Sequence, residues 1–193
     1  MLTVFAVIAV AELPDKTMIA TLLMGSRGSP LWVWIGAASA FLVHVCLAVV
    51  AGQLLTRLPH RAVEIVVAVM FLGGAAWLLF IPERQEAERG EEEAAEERPA
   101  RGAARVAMAA FGVILIGELG DLTQLLTAGF VARTHQPWSV AVGAGAALLS
   151  VSALAAYSGR ALLKVLPLAA IRKAGGVVML GFASYSIVLV ATG

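Results

Sequence analysis

Four stretches of this chain, residues 28–56, 65–82, 134–159 and 174–193, contain no Asp, Glu, Lys or Arg at all. An α-helix needs about 20 consecutive apolar residues to cross the hydrocarbon of a bilayer. A water-facing surface, by contrast, cannot be built from segments this long without charge. The composition agrees: 60% of the 193 residues are hydrophobic, and 19 more are glycine. Of the 27 charged residues, 13 fall within 82–105, which leaves 14 for the remaining 169. A soluble domain and a disordered chain are thereby excluded, and the single cysteine, Cys46, excludes a disulfide scaffold. A net charge of +1 with no basic stripe gives no nucleic-acid partner. The partner that the composition demands is the lipid bilayer.

Six windows are long and apolar enough to span it: 2–25, 31–55, 62–81, 106–130, 137–158 and 173–192. Their apolar runs are continuous and do not alternate in ten-residue segments, so helices are expected, not barrel strands. Trp32, Trp34 and Trp138 open the second and fifth spans and Trp77 nearly closes the third, as interfacial anchors do. Ala9-Val10-Ala11 has a small-x-small cleavage pattern, but no Lys or Arg precedes it and the apolar run continues to Met24, so the first span is expected to be retained. The loops after spans one, three and five hold Arg27, then Arg84, Arg89, Arg98, Arg101 and Arg105, then Arg160, Lys164, Arg172 and Lys173. The opposite side holds only Arg57, Arg61 and Arg133. The positive-inside rule therefore places a multi-pass protein in the cell membrane with both termini outside and the central loop cytoplasmic. That loop, rich in Glu and Arg and interrupted by Gly90 and Pro99, reads as a solvated linker.

The chain repeats itself across the linker. Glu12-Leu13-Pro14-Asp15-Lys16-Thr17 matches Glu118-Leu119-Gly120-Asp121-Leu122-Thr123 at an offset of 106, and Trp32 matches Trp138 at the same offset. Leu58-Pro59 matches Leu166-Pro167, and Gly73 matches Gly181, at 108. Three spans per copy is an odd number, so the second copy enters the membrane upside down. The expected fold is an all-α integral membrane protein with six transmembrane helices as two inverted three-helix repeats: 1–81, a charged linker at 82–105, and 106–193. Inverted repeats are a transporter architecture, with the site near the midplane where the copies meet.

Both copies of the motif fall midway through a span. Ionisable groups at that depth cost several kcal/mol and by default mark an ion or proton path. The i, i+3 spacing puts Glu12 with Asp15, and Glu118 with Asp121, on one face of each helix. Thr17, Thr123 and Gln124 add neutral oxygens beside them. Pro14 and Gly120, inside the motifs, can bend the helix and release carbonyls. Four carboxylates against Lys16 alone need protons or a multivalent cation for balance, and exchange of one for the other is a transport mechanism. Oxygen donors suit Mg2+, Ca2+ and Mn2+ better than Zn2+ or Cu+. The candidate metal ligands are Glu12, Asp15, Thr17, Glu118, Asp121, Thr123 and Gln124, and Lys16, Glu12 and Glu118 are the candidates for proton coupling or charge balance. The bland alternative is an ion pair between Glu12 and Lys16, but Leu122 stands where Lys16 would repeat. His44, with Ser150 near its equivalent place, lies outside the repeat; a proton relay group is one reading, but it reads first as a packed, hydrogen-bonded histidine. Ser39, Gln53, Ser150 and Ser152 could line a path or bond between helices, and Gly143, Gly145 and Ala147 read as packing residues.

The paired motifs resemble the duplicated E-x-G-D-(K/R)-(S/T) signature of uncharacterised protein family 0016. These small inverted-repeat membrane proteins include Golgi and bacterial manganese and calcium transporters described as cation/proton exchangers. The resemblance covers essentially the whole chain. It implies Glu12, Asp15, Lys16 and Thr17, with Glu118, Asp121, Thr123 and Gln124, as site residues. Pro14 departs from the motif glycine, and Leu122 from the motif's basic residue, which makes the site more negative by one charge.

The expected function is a secondary transporter exporting a divalent cation, Mn2+ or else Ca2+, in exchange for protons. The cation is the substrate and no cofactor is expected; homo-oligomer formation is left open. No nucleotide-binding loop is present, so an ion gradient supplies the energy. An exporter of small organic cations or amino acids would want an aromatic or amide-lined cavity. An intramembrane enzyme would want Gly-x-Gly-Asp, which residues 117–121 miss by one position, or His-Glu-x-x-His, which is missing. A non-transporting assembly subunit would have no use for two unneutralised acid pairs.

Overall fold

A computed structural model of the chain describes residues 1–13, 15–80, 88–89, 91–92, 94–95, 102–158 and 168–192. Its principal helices are α1 (Leu2–Glu12), α2 (Lys16–Arg27), α3 (Pro30–Leu55), α4 (His60–Phe80), α5 (Ala103–Gly117), α6 (Leu122–Thr134), α7 (Pro137–Ser158) and α8 (Leu168–Thr192). No strand occurs among the described residues. Four helices are long and apolar enough to cross a membrane: Pro30–Leu55, Arg61–Phe80, Pro137–Ser158 and Lys173–Ala191. A fifth span is counted if α5 and α6 are taken together across their 67° bend.

The windows 2–25 and 106–130, continuous in sequence, are each broken in the structure. α1 stops at Glu12 and α2 starts at Lys16; α5 stops at Gly117 and α6 starts at Leu122. At 1.5 Å per residue the 11 residues of α1 reach only about 16 Å, half a bilayer. In the second break the cause is visible: Gly120 has φ +76°, a left-handed conformation that costs a side-chain-bearing residue about 1–2 kcal/mol. Pro14, at the first break, lies outside the described residues, as do Gly159–Pro167 and most of the linker.

Helix packing comes in exchanged pairs. α3 packs on α5, α6 and α7, while α7 packs on α1, α2 and α3. A Cβ added at Gly36 of α3 would run into the Ala107 carbonyl of α5; one at Gly143 of α7 would lie 2.9 Å from the Met1 carbonyl and 3.2 Å from Val4, beside α1. Similarly, Gly25 of α2 abuts the Ala156 backbone, and a Cβ at Gly52 of α3 would lie 2.6 Å from the Ala128 carbonyl and from Val131 of α6. Small residues let backbones meet where lipid supplies no hydrophobic drive. Of the small residues singled out in α7, Gly143 and the buried Ala147 pack in this way, whereas Gly145 has open space beside it.

α4 pairs along its length with α8. An aromatic cluster joins both to α6: Phe71, Phe130 and Phe182 have ring centroids 5.2–5.5 Å apart. Trp138 is exposed, whereas Trp34 donates its indole N–H to the Leu149 carbonyl at 3.1 Å, linking α3 to α7. Ser39 and Ser150 bond back to the Ile35 and Ala146 carbonyls of their own helices at 2.7 Å, and Ser152 does likewise to Leu149. In these bonds none of the three bridges two helices.

Among the described residues of the linker, Glu88, Glu91, Glu92 and Ala95 are exposed and Ala94 is buried. Ala94 is buried against Leu22, Leu23, Val151 and Ala155, and Arg27 donates to its carbonyl at 3.3 Å. The Arg89 guanidinium sits over the Trp77 ring, 5.6 Å from its centroid.

Candidate cation site

The two helix breaks meet inside the bundle. At each, the Asp amide N–H bonds back to the preceding Glu carbonyl: Asp15 to Glu12 at 3.0 Å, and Asp121 to Glu118 at 3.2 Å. Each Asp then takes an extended backbone at the N-cap of the next half-helix, with φ/ψ of −90°/160° at Asp15 and −72°/170° at Asp121. An N-cap Asp ordinarily accepts a hydrogen bond from a first-turn N–H. Neither does so here. Both carboxylates nevertheless stand at helix N-termini, where the aligned peptide dipoles favour negative charge.

Glu12, Asp15 and Glu118 each contribute a carboxylate oxygen to a set lying within 4.8 Å of one another, and all three residues are buried. Oxygens up to about 5 Å apart can share one Ca2+-sized ion, whose bonds are 2.3–2.6 Å long. Asp121 is outside this set and half-buried, but within electrostatic reach of both Glu12 and Glu118. Glu12 is 1% and Glu118 2% exposed. Neither oxygen of Glu118 has a hydrogen-bond partner, nor does Oε2 of Glu12. Buried carboxylate oxygens left this way are costly unless a proton or a cation compensates them.

Thr17 serves the first motif as a donor. Its hydroxyl lies 2.8 Å from Glu12 Oε1 and 3.3 Å from Asp15 Oδ2, bridging the pair. Thr123 is buried at the corresponding place, and its carbonyl accepts the Thr127 hydroxyl at 2.7 Å. Gln124 accepts the Gly120 N–H at 2.7 Å and presents its amide nitrogen to His44 Nδ1 at 3.4 Å. Lys16 Nζ donates to the Gly117 carbonyl at 2.7 Å, in the last turn of α5. The structure thus brings Glu12, Asp15, Thr17 and Glu118 together, sets Asp121 and Thr123 beside them, keeps Lys16 within electrostatic reach of Glu12 while it donates to Gly117, and turns Gln124 toward Gly120 and His44.

Two placements were not legible in the sequence. His44, on α3, is 3% exposed and lines a cavity with Glu118, Thr123, Gln124 and Thr127. Only three-dimensional packing shows that, because His44 is remote from both motifs. Glu64, at the start of α4, is 3% exposed with Oε2 unpartnered.

The sequence profile described as Divalent cation/proton antiporter GDT1 matches residues 1–86 and 106–192, skipping most of the linker. The chain is similar to the GDT1-like protein sll0615 of Synechocystis, with 30% identity over 159 residues, 75% of this chain and 77% of that protein. It is also similar to Protein PAM71, chloroplastic, of Arabidopsis thaliana, with 27% identity over 97% of this chain. The chain spans just over half of that relative, 56% of its length. No solved structure matches significantly.

Proposed function

We propose a function from one established premise: the chain belongs to the GDT1 family of divalent cation/proton antiporters, multi-pass membrane proteins. In this reading it exports a divalent cation, Mn2+ first and Ca2+ second, in exchange for protons. Glu12, Asp15 and Glu118 hold the cation, Asp121 and Thr123 complete its surroundings, and Thr17 orients Glu12. The observation that carries this reading is the buried carboxylate set within 4.8 Å, in which Glu118 has no donor of its own. All-oxygen ligation favours hard cations, and the preference for Mn2+ rests on the resemblance of the motifs.

The same reading treats the broken pairs α1/α2 and α5/α6 as one span each, giving six spans in two inverted repeats. Support comes from the equivalent Asp backbones at both breaks and from the exchanged contacts of Gly36 with Gly143 and of Gly25 with Gly52. Rocking one repeat against the other would expose the acids to each side in turn. The excess of Lys and Arg in the linker side's loops supports outward termini and export.

Cation flux into proteoliposomes, with internal pH recorded, tests the proposal. Mn2+ uptake should be accompanied by opposite proton movement, and Glu118→Gln should abolish both. Absence of any divalent flux from wild-type protein would end this reading.

A further inference from the structure

Glu12 and Glu118 occupy equivalent places in the sequence repeat, yet the protein serves them differently. Glu12 receives a direct hydrogen bond from Thr17 at 2.8 Å. Glu118 receives none, although it is 2% exposed. His44, 3% exposed, lines the same small cavity as Glu118, and its Nε2 also has no hydrogen-bond partner. The His44 ring is held at its other nitrogen. Because Gln124 Oε1 accepts the Gly120 N–H at 2.7 Å, the Gln124 amide is oriented so that its nitrogen is the group facing His44 Nδ1 at 3.4 Å. An amide nitrogen can only donate, so Nδ1 is the acceptor and the hydrogen of the neutral ring sits on Nε2. That puts a buried donor and a buried acceptor on the walls of one cavity of about 10 Å3, room for roughly one water. The carbonyls of Ile114 and Leu115, in the last turns of α5, lie close enough to the ring to accept from it, and a direct bond to either is the competitor of a bond toward Glu118.

We infer that His44 is a positioning residue for Glu118: its Nε2–H donates, through one water in that cavity, to the Glu118 carboxylate. The chain Gly120 N–H, Gln124, His44, water, Glu118 then ties the second helix break to the acid it presents. His44 does not ligate the cation, because a ring whose Nδ1 accepts from Gln124 carries hydrogen, not a lone pair, on Nε2. The second copy thereby replaces the single Thr17 contact of the first with a relay reaching to α3. The consequence for cation binding rests on the proposed function, but the hydrogen-bond arrangement itself does not.

The test uses the full chain in lipid nanodiscs, with 15N-labelled histidine and 13C-labelled glutamate. The His44 resonances, assigned by their loss in His44→Gln, should show hydrogen on Nε2 and none on Nδ1. The Glu118 carboxyl infrared band, assigned by its loss in Glu118→Gln, should shift in His44→Leu and return toward its wild-type position in His44→Gln, which restores a donor. In proteoliposomes the KM for Mn2+ should rise on the order of tenfold in His44→Leu, the scale of a lost hydrogen bond to a charged group, and fall back in His44→Gln. A Glu118 band unmoved by His44→Leu, or hydrogen on Nδ1, overturns the assignment. If His44→Leu does not fold, Gln124→Leu takes its place and should abolish the single Nε2–H tautomer; an unchanged tautomer there counts against the relay. Wild-type protein that carries no divalent cation would defeat the proposed function, and the spectra would still decide the role of His44.

Discussion

Lys16 Nζ lies 2.7 Å from the Gly117 carbonyl oxygen, so the first residue of α2 is tied to the last of α5 across the two halves of the chain. An ammonium at a helix C-terminus meets the negative end of the dipole. It also keeps a positive charge close to an acid set that would otherwise be uncompensated. The second motif has Leu122 in the same register, packed where a Cβ on Gly74 would meet it at 2.5 Å, so only one half carries the tether. In Lys16→Met the tether and the charge are both lost. The more negative site should hold the cation longer, lowering KM and kcat together in flux assays, whereas Lys16→Arg should retain most of the turnover. The lost charge-assisted bond should also lower stability by about 1–3 kcal/mol, read as a fall in melting temperature in detergent.

Thr17→Val removes the donor to Glu12 Oε1 while keeping the shape of the side chain. A buried carboxylate oxygen left without its donor costs about 1–3 kcal/mol. Mn2+ affinity, measured by titration calorimetry, should weaken by roughly tenfold, and Thr17→Ser should restore it.

Gly36→Val and Gly143→Val should each lower the melting temperature clearly, because both positions abut backbone of the other half. Overpacking of this kind typically costs about 1–3 kcal/mol. Gly145→Val, two residues along α7 and facing open space, is the control and should change it little. Similar losses at Gly36 and Gly143 are expected if the two contacts are one contact with the halves exchanged.

Gly120→Ala places a Cβ on a residue with φ +76°. The left-handed conformation then costs about 1–2 kcal/mol, and the Gly120 N–H to Gln124 bond is put at risk with it. Transport should fall more than stability, as judged by flux per folded molecule.

Much of this was legible in the residues. Charge-free runs identified the α3, α4, α7 and α8 membrane helices because long apolar helices are what such runs form. Glu12, Asp15 and Glu118 stand out in the sequence because a carboxylate deep in an apolar run has few bland explanations. The helix breaks were half legible: Gly120 and Pro14 announce a bend, but not that α1 and α5 end there outright. What could not be read was long-range. Lys16 has Glu12 at i−4, and nothing local says that it reaches Gly117, 101 positions away. His44 offers a single polar atom pattern with no repeat partner, so only the packing of α3 against α5 and α6 reveals its place beside Glu118. Ser39 and Ser150 misled for the opposite reason, since their own helix carbonyls are always the nearest acceptors.

The central claim is that one cation and the protons it displaces compete for Glu12, Asp15 and Glu118. It is tested most directly by titrating purified protein with Mn2+ in buffers of different ionisation enthalpy, which counts protons released per ion bound. Wild-type protein is expected to bind one Mn2+ per chain with proton release, and Glu118→Gln to lose both. Binding of Mn2+ with no proton release, or undiminished binding by Glu118→Gln, would contradict it.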